Sequence, residues 1–359
     1  MDKTTYNILN KLSSSFGRSY SIHSLTTELN KDDRKTYYKT IFDKIKELNS
    51  DNDILIEKLG RSSIIRINYK NYDTLNLLSQ LELMKKRNLD KDEELKLLLF
   101  DIDSLFRKKF CHIDSISIIR PEKNKILNRA EFLFILKDPD NEKSAIRKEI
   151  FGIYELMSDL GKMHNMKLDY LILGVNEFRG LISESDHNPL KEMLSSQIVL
   201  TYQENYWLEI KNLIDRGMRI TSAEEINPGK ISEKDLIYNL GRFGYKETGG
   251  EIGRGTEYCI EMIITALFLQ GDARRIEAIP IILGKNLERG RKPIFGLLIF
   301  MAMKYSKAGK LLAYLEWLRK RSENEKIFGA IDLMTRIGIK PEKIDEKAIE
   351  QKFGLYNGN

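Results

Sequence analysis

The sequence predicts a mixed α+β protein with several domains, because three regions of the chain have different hydropathy patterns. Residues 1–88 show helical periodicity followed by one alternating hairpin, residues 89–217 alternate strand and helix patterns, and residues 218–359 contain helical patterns alone. At ~150 residues per domain, a chain of 359 residues has room for two or three domains. We therefore expect three domains, with boundaries near residues 88 and 217.

The composition places the chain among ordinary globular proteins. Apolar residues make up 42% and charged residues 31%, which excludes a disordered, collagenous or disulfide-based protein. The two cysteines, Cys111 and Cys259, have no CxxC spacing, so a thiol redox motif and a cysteine-rich zinc site are excluded as well. The most apolar run, residues 293–303, is shorter than the ~20 residues that span a bilayer. The expected location is the reducing cytoplasm, with no membrane contact.

The positive charge is concentrated at the N-terminus. The chain has a net charge of +6, and residues 1–88 hold 16 lysines and arginines against 11 aspartates and glutamates. Such an asymmetry favours a module that faces a polyanion at this end of the chain.

The first region contains three helical patterns and one hairpin. Ile8, Leu9 and Leu12 indicate a first helix, and Ser24 is predicted to cap a short helix over Leu25–Leu29. A third helix is predicted from about Arg34 to Leu48, and its polar face carries four lysines: Lys35, Lys39, Lys44 and Lys46. Two strand patterns, 54–59 and 64–69, flank the turn 60–63. Three helices followed by a hairpin predict a winged helix.

The order of these elements and the segment ILIEKLGRSSIIRINY resemble the winged helix-turn-helix family of archaeal and bacterial transcription regulators. The resemblance covers residues 1–88 and implies a protein of archaeal type whose partner is double-stranded DNA. The third helix would lie in the major groove, and the wing tip would reach phosphates or the minor groove. The predicted DNA-binding residues are Arg34, Lys35, Thr36, Lys39, Arg61, Ser62 and Ser63. Winged helices also mediate protein contacts, so a protein-binding module remains an alternative.

The middle region, 89–217, has the order helix, strand, strand, helix, strand, with a closing strand at 198–201 before a helix that contains Trp207. This pattern resembles the minimal nucleotidyltransferase domain of the polymerase-beta-like superfamily. The likeness is carried by six residues, Asn188, Pro189, Leu190, Ile198, Val199 and Leu200.

The residues for nucleotidyl transfer do not match this family. Active members hold a phosphate with Gly-Ser after the first strand and bind magnesium with a D-x-D pair at the second strand. Here Arg120-Pro121 replaces Gly-Ser, and Ala130 and Phe132 align with the two aspartates. Glu131 and Asp169 are the carboxylates left, and strand alternation turns Glu131 to the opposite face. The resemblance therefore implies a degenerate fold without catalytic residues and without a cofactor.

The last region, 218–359, is expected to form a helical bundle. Helices are predicted at Glu257–Leu269, Ala273–Leu283, Phe295–Tyr305, Gly309–Arg321 and Glu325–Gly338. This domain would contact a protein partner, and the apolar helix 75–84 would support either a homodimer or packing on the next domain.

The leading hypothesis is a DNA-binding transcription regulator with an inactive nucleotidyltransferase-like domain that serves sensing, dimerisation or partner binding. A second hypothesis is an active Mg²⁺-dependent nucleotidyltransferase that uses Glu131 and Asp169 together with Asp138 or Asp140 and modifies protein, RNA or a small molecule. A third hypothesis is an antitoxin-like protein-binding scaffold.

Overall fold

The structure is a computed structural model. It describes residues 1–31, 37–60, 62–89, 92–121, 128–138, 143–245, 253–290 and 293–357. These residues form a mixed α+β protein with two small sheets, in agreement with the predicted class. The chain divides into two compact units. Unit 1 comprises Met1–Lys137, Phe178–Ser183 and Leu190–Glu224, and unit 2 comprises Asp138–Glu177, Glu184–Pro189 and Glu225–Asn359.

Unit 1 begins with three helices, α1 (Lys3–Ser13), α2 (Ile22–Asn30) and α3 (Tyr38–Ser50). Asp2 caps α1, because its carboxylate accepts hydrogen bonds from the backbone N–H groups of Thr4 and Thr5, both at 2.9 Å. The predicted cap of α2 is wrong. Ser21 is the N-cap, and Ser24 lies three residues into a capping box with it.

A three-stranded sheet completes this N-terminal part. It consists of β1 (Tyr20–Ser21), β2 (Ile54–Leu59) and β3 (Ser62–Ile67) in the order β1-β3-β2. The predicted hairpin is present: β2 and β3 pair antiparallel from Ile54 opposite Ile67 to Leu59 opposite Ser62. Gly60 begins the turn with a φ of 60°, a conformation that glycine adopts without strain.

Two long helices and a second sheet follow in unit 1. The helices are α4 (Tyr72–Leu89) and α5 (Glu93–Lys109), and the strands are β4 (Ile113–Ile119), β5 (Arg129–Leu136) and β7 (Gln197–Thr201). Strand β4 pairs antiparallel with β5 on one side and with β7 on the other. Helix α4 and helix α9 (Gln203–Asp215) pack against β7. The predicted strands β4, β5 and β7 are thus present within one residue of their expected starts, whereas β3 begins two residues before its predicted start at residue 64.

Aromatic side chains connect the N-terminal helices to the second sheet within unit 1. The ring of Tyr69 stacks on Phe16, with centroids 5.9 Å apart, and on Trp207 of α9, with centroids 6.2 Å apart. Residues 1–88 therefore share a core with this sheet. Residues 1–88 and the strands of this sheet accordingly belong to the same compact unit. The division into three domains at residues 88 and 217 stays a prediction.

Unit 2 contains the long helix α6 (Lys143–Met163), the strand β6 (Lys167–Gly174) and the C-terminal helices. The remaining helices are α7 (Val175–Ser183) and α8 (Pro189–Leu194), both divided between the units, and α10 (Glu233–Arg242), α11 (Ile260–Gln270), α12 (Ala273–Ile276), α13 (Ile279–Glu288), α14 (Phe295–Lys304), α15 (Ala308–Arg319), α16 (Glu325–Arg336) and α17 (Glu346–Asn357). The single helix predicted for Ala273–Leu283 is wrong. It is two helices, because Pro280 occupies the first turn of α13 and lacks the N–H that a continuous helix needs. None of the described helices is long and apolar enough to cross a membrane.

Helix α14 packs closely on strand β6 inside unit 2. A Cβ atom at Gly296 would lie 2.8 Å from the carbonyl oxygen of Ile172, so glycine permits this approach. Helices α11, α15 and α16 also pack against α14, and its side chains from Phe295 to Ala302 are almost all buried. This apolar helix is therefore central to the core of unit 2.

Candidate nucleic-acid interface

The predicted DNA-binding residues fall into two groups. Arg34, Lys35, Thr36 and Arg61 lie outside the described residues. Lys39 is exposed in the first turn of α3, Ser62 is exposed at the start of β3, and Ser63 is half-buried. The described part of the predicted interface is thus the start of α3 and the end of the β2-β3 hairpin.

The N-terminus of α3 has features that suit a phosphate group. Tyr37 is the N-cap residue, and its side chain makes no capping hydrogen bond. The first turn contains no acidic residue, and Lys39 and Thr40 lie exposed within it. The first N–H groups of a helix have no partner inside the helix and carry a partial positive charge. An anion placed there gains both hydrogen bonds and favourable electrostatics.

Two exposed tyrosines accompany the basic residues at this point. Tyr37 is 77% exposed and Tyr38 is 49% exposed, and the ring of Tyr38 stacks on Phe42 one turn later. Exposed aromatic rings beside basic residues are typical of surfaces that bind single-stranded nucleic acids, and on a duplex a tyrosine hydroxyl can hydrogen-bond to a phosphate. Sequence reasoning did not select these tyrosines, although the run Tyr37-Tyr38-Lys39 was a visible signal for them.

The other two lysines of the predicted basic face are already engaged. The ammonium of Lys44 lies 3.0 Å from the Asp2 carboxylate and 2.6 Å from the Glu47 carboxylate, and these hydrogen bonds raise the pKa of Lys44. Lys46 lies over the ring of Phe42, 4.4 Å from its centroid. Lys39 has no ion pair or hydrogen bond with any described side chain. Among the described lysines of this face, Lys39 and Lys46 have no carboxylate partner within the described residues, and Lys39 has no aromatic contact there either.

The hairpin end adds one more exposed cation. Lys58 lies opposite Ser63 in the β2-β3 pairing and is exposed, and the neighbouring Leu59 is 69% exposed. Arg66, further along β3, pairs with Glu57 at 3.4 Å. Lys58 therefore adds a third exposed residue to the predicted hairpin tip beside Ser62 and Ser63. The sequence analysis did not select Lys58, because only the register of the β2-β3 pairing places it opposite Ser63.

The nucleotidyltransferase-like positions have a different character. Glu131 on β5 is 1% exposed, and Nη2 of Arg120 donates to both of its carboxylate oxygens at 3.2 and 3.0 Å. Arg120 follows β4 with a φ of 47°, in the left-handed region that favours glycine. Ala130 and Phe132 are buried, and Phe132 lies beside Phe134, whose ring stacks on Phe106 of α5. The carboxylate that remains on β5 thus holds an arginine.

The other carboxylates named for an active enzyme belong to unit 2. Asp169 on β6 is 5% exposed and lies 3.8 Å from the ammonium of Lys167. Asp138 accepts a hydrogen bond of 2.7 Å from the backbone N–H of Asn176. Asp140 lies outside the described residues. Each of the two described aspartates therefore has a partner within its own unit.

Comparisons of the chain with protein-family models, with curated proteins and with solved structures found no match.

Proposed function

We propose that the protein is a DNA-binding transcription regulator whose residues 1–88 form a winged helix. The observation that carries the proposal is the order helix, strand, helix, helix, strand, strand, with a sheet in the order β1-β3-β2 and an exposed lysine at the start of the third helix. In this motif the third helix enters the major groove and the hairpin reaches the backbone or the minor groove.

The charges of the described residues support a phosphate-binding role for this surface. Lys39 and Lys58 are exposed, and the N-terminus of α3 has no capping side chain. The sequence places Arg34, Lys35 and Arg61 next to these points. Phosphate contacts of this kind provide much of the affinity and fix the position of the protein on the duplex, whereas base contacts specify the sequence.

The second sheet is proposed to serve sensing, dimerisation or partner binding in place of nucleotidyl transfer. Glu131 is occupied by Arg120, and Ala130 and Phe132 offer no metal ligands. Residues 218–359 are proposed as the surface for a protein partner.

The test is the affinity of the full chain for double-stranded DNA, measured by fluorescence anisotropy over a range of salt concentrations. Changing Lys35 and Lys39 together to alanine is expected to weaken binding at every DNA sequence. The slope of log affinity against log salt is negative, and each lost phosphate contact reduces its magnitude by about 0.9. The matched control changes Lys108 and Lys109 to alanine, because these exposed lysines lie at the end of α5, outside the proposed surface.

The outcomes separate the proposal from its alternatives. A less negative slope in the Lys35/Lys39 variant but not in the Lys108/Lys109 variant supports the assigned surface. Equal slopes in all three proteins would show that this face does not contact phosphate. No binding at low salt would favour the protein-binding scaffold.

A further inference from the structure

Helix α5 has apolar side chains on its exposed face as well as on its buried face. The buried face belongs to the core of unit 1, where Phe106 stacks on Phe134 of β5 with centroids 5.2 Å apart. On the other face, Leu97 is 59% exposed and Phe100 is 69% exposed. These two side chains are neighbours, because residues three apart lie on one side of a helix. A phenylalanine and a leucine exposed side by side are typical of a surface that a protein partner covers.

Charged residues flank this apolar pair in a fixed order. Glu93 lies seven residues before Phe100, and Arg107 lies seven residues after it. Seven residues are close to two helical turns, so the three side chains lie along one line on the helix, with each charge about 10 Å from the phenylalanine. Both charged residues are exposed. We call this line, with Leu97 beside it, the α5 stripe; it is acidic, then apolar, then basic.

The charges at the two ends of the α5 stripe are accessible to a partner. Within the described part of the chain, Glu93 forms no ion pair and no side-chain hydrogen bond. Nε of Arg107 donates to the Asp103 carboxylate at 2.9 Å, and its guanidinium lies 5.2 Å from the centroid of the Tyr202 ring. The terminal Nη1 and Nη2 groups of Arg107 make no hydrogen bond with the described residues. The guanidinium is thus held on the stripe with N–H donors left for a second carboxylate.

The α5 stripe is complementary to its own reverse. In an antiparallel pair of α5 helices, the Phe100 rings of two copies would meet at the two-fold axis with Leu97 of each copy beside them. Glu93 of each copy would then face Arg107 of the other copy. A parallel pair would place like charges opposite each other, which is unfavourable. A two-fold interface uses the same patch on both chains, and a patch that matches its own reverse satisfies this condition.

We infer that the α5 stripe is the surface through which two copies of this chain form a two-fold symmetric dimer. The sequence analysis considered residues 75–84 for this role. In the structure Leu75, Leu78 and Leu81 of that helix are buried, and α4 packs on β7 and α9 within unit 1. The apolar face of α4 is therefore covered inside one chain, whereas that of α5 is open. The dimer does not depend on the proposed DNA binding.

The first experiment measures the mass of the full chain by sedimentation equilibrium at increasing concentration. The wild type is expected to shift from one chain to two, with a dissociation constant in the micromolar range that a small interface gives. A chain that stays monomeric at about 100 µM would overturn the proposal. Trimers or an open-ended series of oligomers would overturn the two-fold pairing.

Truncation of the apolar centre locates the interface. Phe100→Ala is expected to raise the dissociation constant about 100-fold, because two buried rings are lost from each dimer. Leu97→Ala is the second variant and should raise it about tenfold. Phe328→Ala is the matched control, since Phe328 is an exposed phenylalanine on α16 of unit 2. An unchanged dissociation constant in both α5 variants would overturn the assignment to this surface.

An exchange of charges tests the antiparallel order. Glu93→Arg and Arg107→Glu should each weaken self-association about tenfold, because each dimer then has like charges facing each other at both ends of the stripe. An equal mixture of the two variants should dimerise like the wild type, since both ends of the mixed dimer again pair an arginine with a glutamate. Absence of recovery in the mixture would overturn the antiparallel pairing.

Two further variants make the same charge changes in the same turns away from the stripe. Glu94 and Lys109 are exposed and lie about 120° and about 180° around the helix from Phe100. Glu94→Arg and Lys109→Glu should therefore dimerise like the wild type, and circular dichroism checks that every variant keeps its helix content. Equal losses in these controls and in the stripe variants would show that overall charge controls self-association, which would overturn the assigned surface.

Discussion

Helices α3 and α4 each carry a lysine and a glutamate three residues apart, and the two pairs have opposite surroundings. Lys44 and Glu47 lie 2.6 Å apart with side chains 19% and 59% exposed. Glu82 and Lys85 lie 2.7 Å apart with side chains 2% and 9% exposed. The same spacing and nearly the same distance thus give a surface pair on the proposed DNA-binding helix and a buried pair on α4.

The difference shows which charges hold the fold and which contribute little to it. An exposed pair is screened by water and salt, so it contributes little to stability. The buried pair is tied to the sheet, because the second oxygen of Glu82 accepts a hydrogen bond of 2.8 Å from the backbone N–H of Val199. Removing one partner there leaves a buried charge without compensation.

The largest effect is expected for the buried pair. Glu82→Ala should lower the free energy of unfolding by about 3–5 kcal/mol, because Lys85 would remain buried without its carboxylate. Glu47→Ala, the matched change in the exposed pair, should lower it by less than about 1 kcal/mol. Urea denaturation of both variants measures the difference. Equal losses would show that burial does not separate the two pairs.

Unit 2 contains a buried carboxyl group, that of Glu261, that forms no salt bridge with the described residues. It can be compared with the buried pair of Glu82 and Lys85. Glu261 on α11 is 3% exposed and accepts a hydrogen bond of 2.7 Å from the backbone N–H of Ile294. Burial raises the pKa of Glu261 to about 7, from 4.5. The folded state therefore holds the proton more tightly than the unfolded state. Its contribution to stability is present at acid pH and is lost as the pH rises from about 4.5 to about 7.

Glu261→Gln should remove this pH dependence. Between pH 5 and pH 8 the variant should gain up to about 3 kcal/mol of stability relative to the wild type, because its amide stays neutral while the carboxyl ionises. The measurement is the free energy of unfolding at a series of pH values. Glu288→Gln, an exposed change at the end of α13, is the control. A constant difference between wild type and Glu261→Gln would contradict the raised pKa.

The smallest effect is expected when Mg²⁺ and nucleoside triphosphates are added to the protein, because the carboxylate of Glu131 is paired with Arg120. Titration of the full chain with Mg²⁺ and each nucleoside triphosphate should show no metal-dependent binding, because Glu131 is already held by Arg120. Labelled nucleotide should likewise not transfer to protein or RNA. Transfer that is abolished by Asp169→Asn would show an active enzyme and would make the alignment of the second strand wrong.

Local patterns predicted most of the elements well. Alternating and continuous apolar runs placed β2, β4, β5 and β6 within one residue of their starts, because a strand in a buried sheet needs apolar side chains wherever it is covered. Errors occurred where two local signals compete. Ser21 and Ser24 can both cap a helix, and the hydrogen bonds of the folded chain select Ser21. Helix α17 was not predicted at all, since its apolar residues are few.

The sequence by itself determined the α+β class, the strands, the hairpin turn at Gly60 and the basic character of residues 1–88, since these depend on neighbours in the chain. Only the tertiary structure decided which charges are buried. The carboxylate of Glu82 accepts a hydrogen bond from the backbone N–H of Val199, which lies 117 positions later in the chain. Lys44 on α3 forms an ion pair with Asp2, the N-cap of α1. Burial is a property of packing between distant segments, and so no local pattern encodes it.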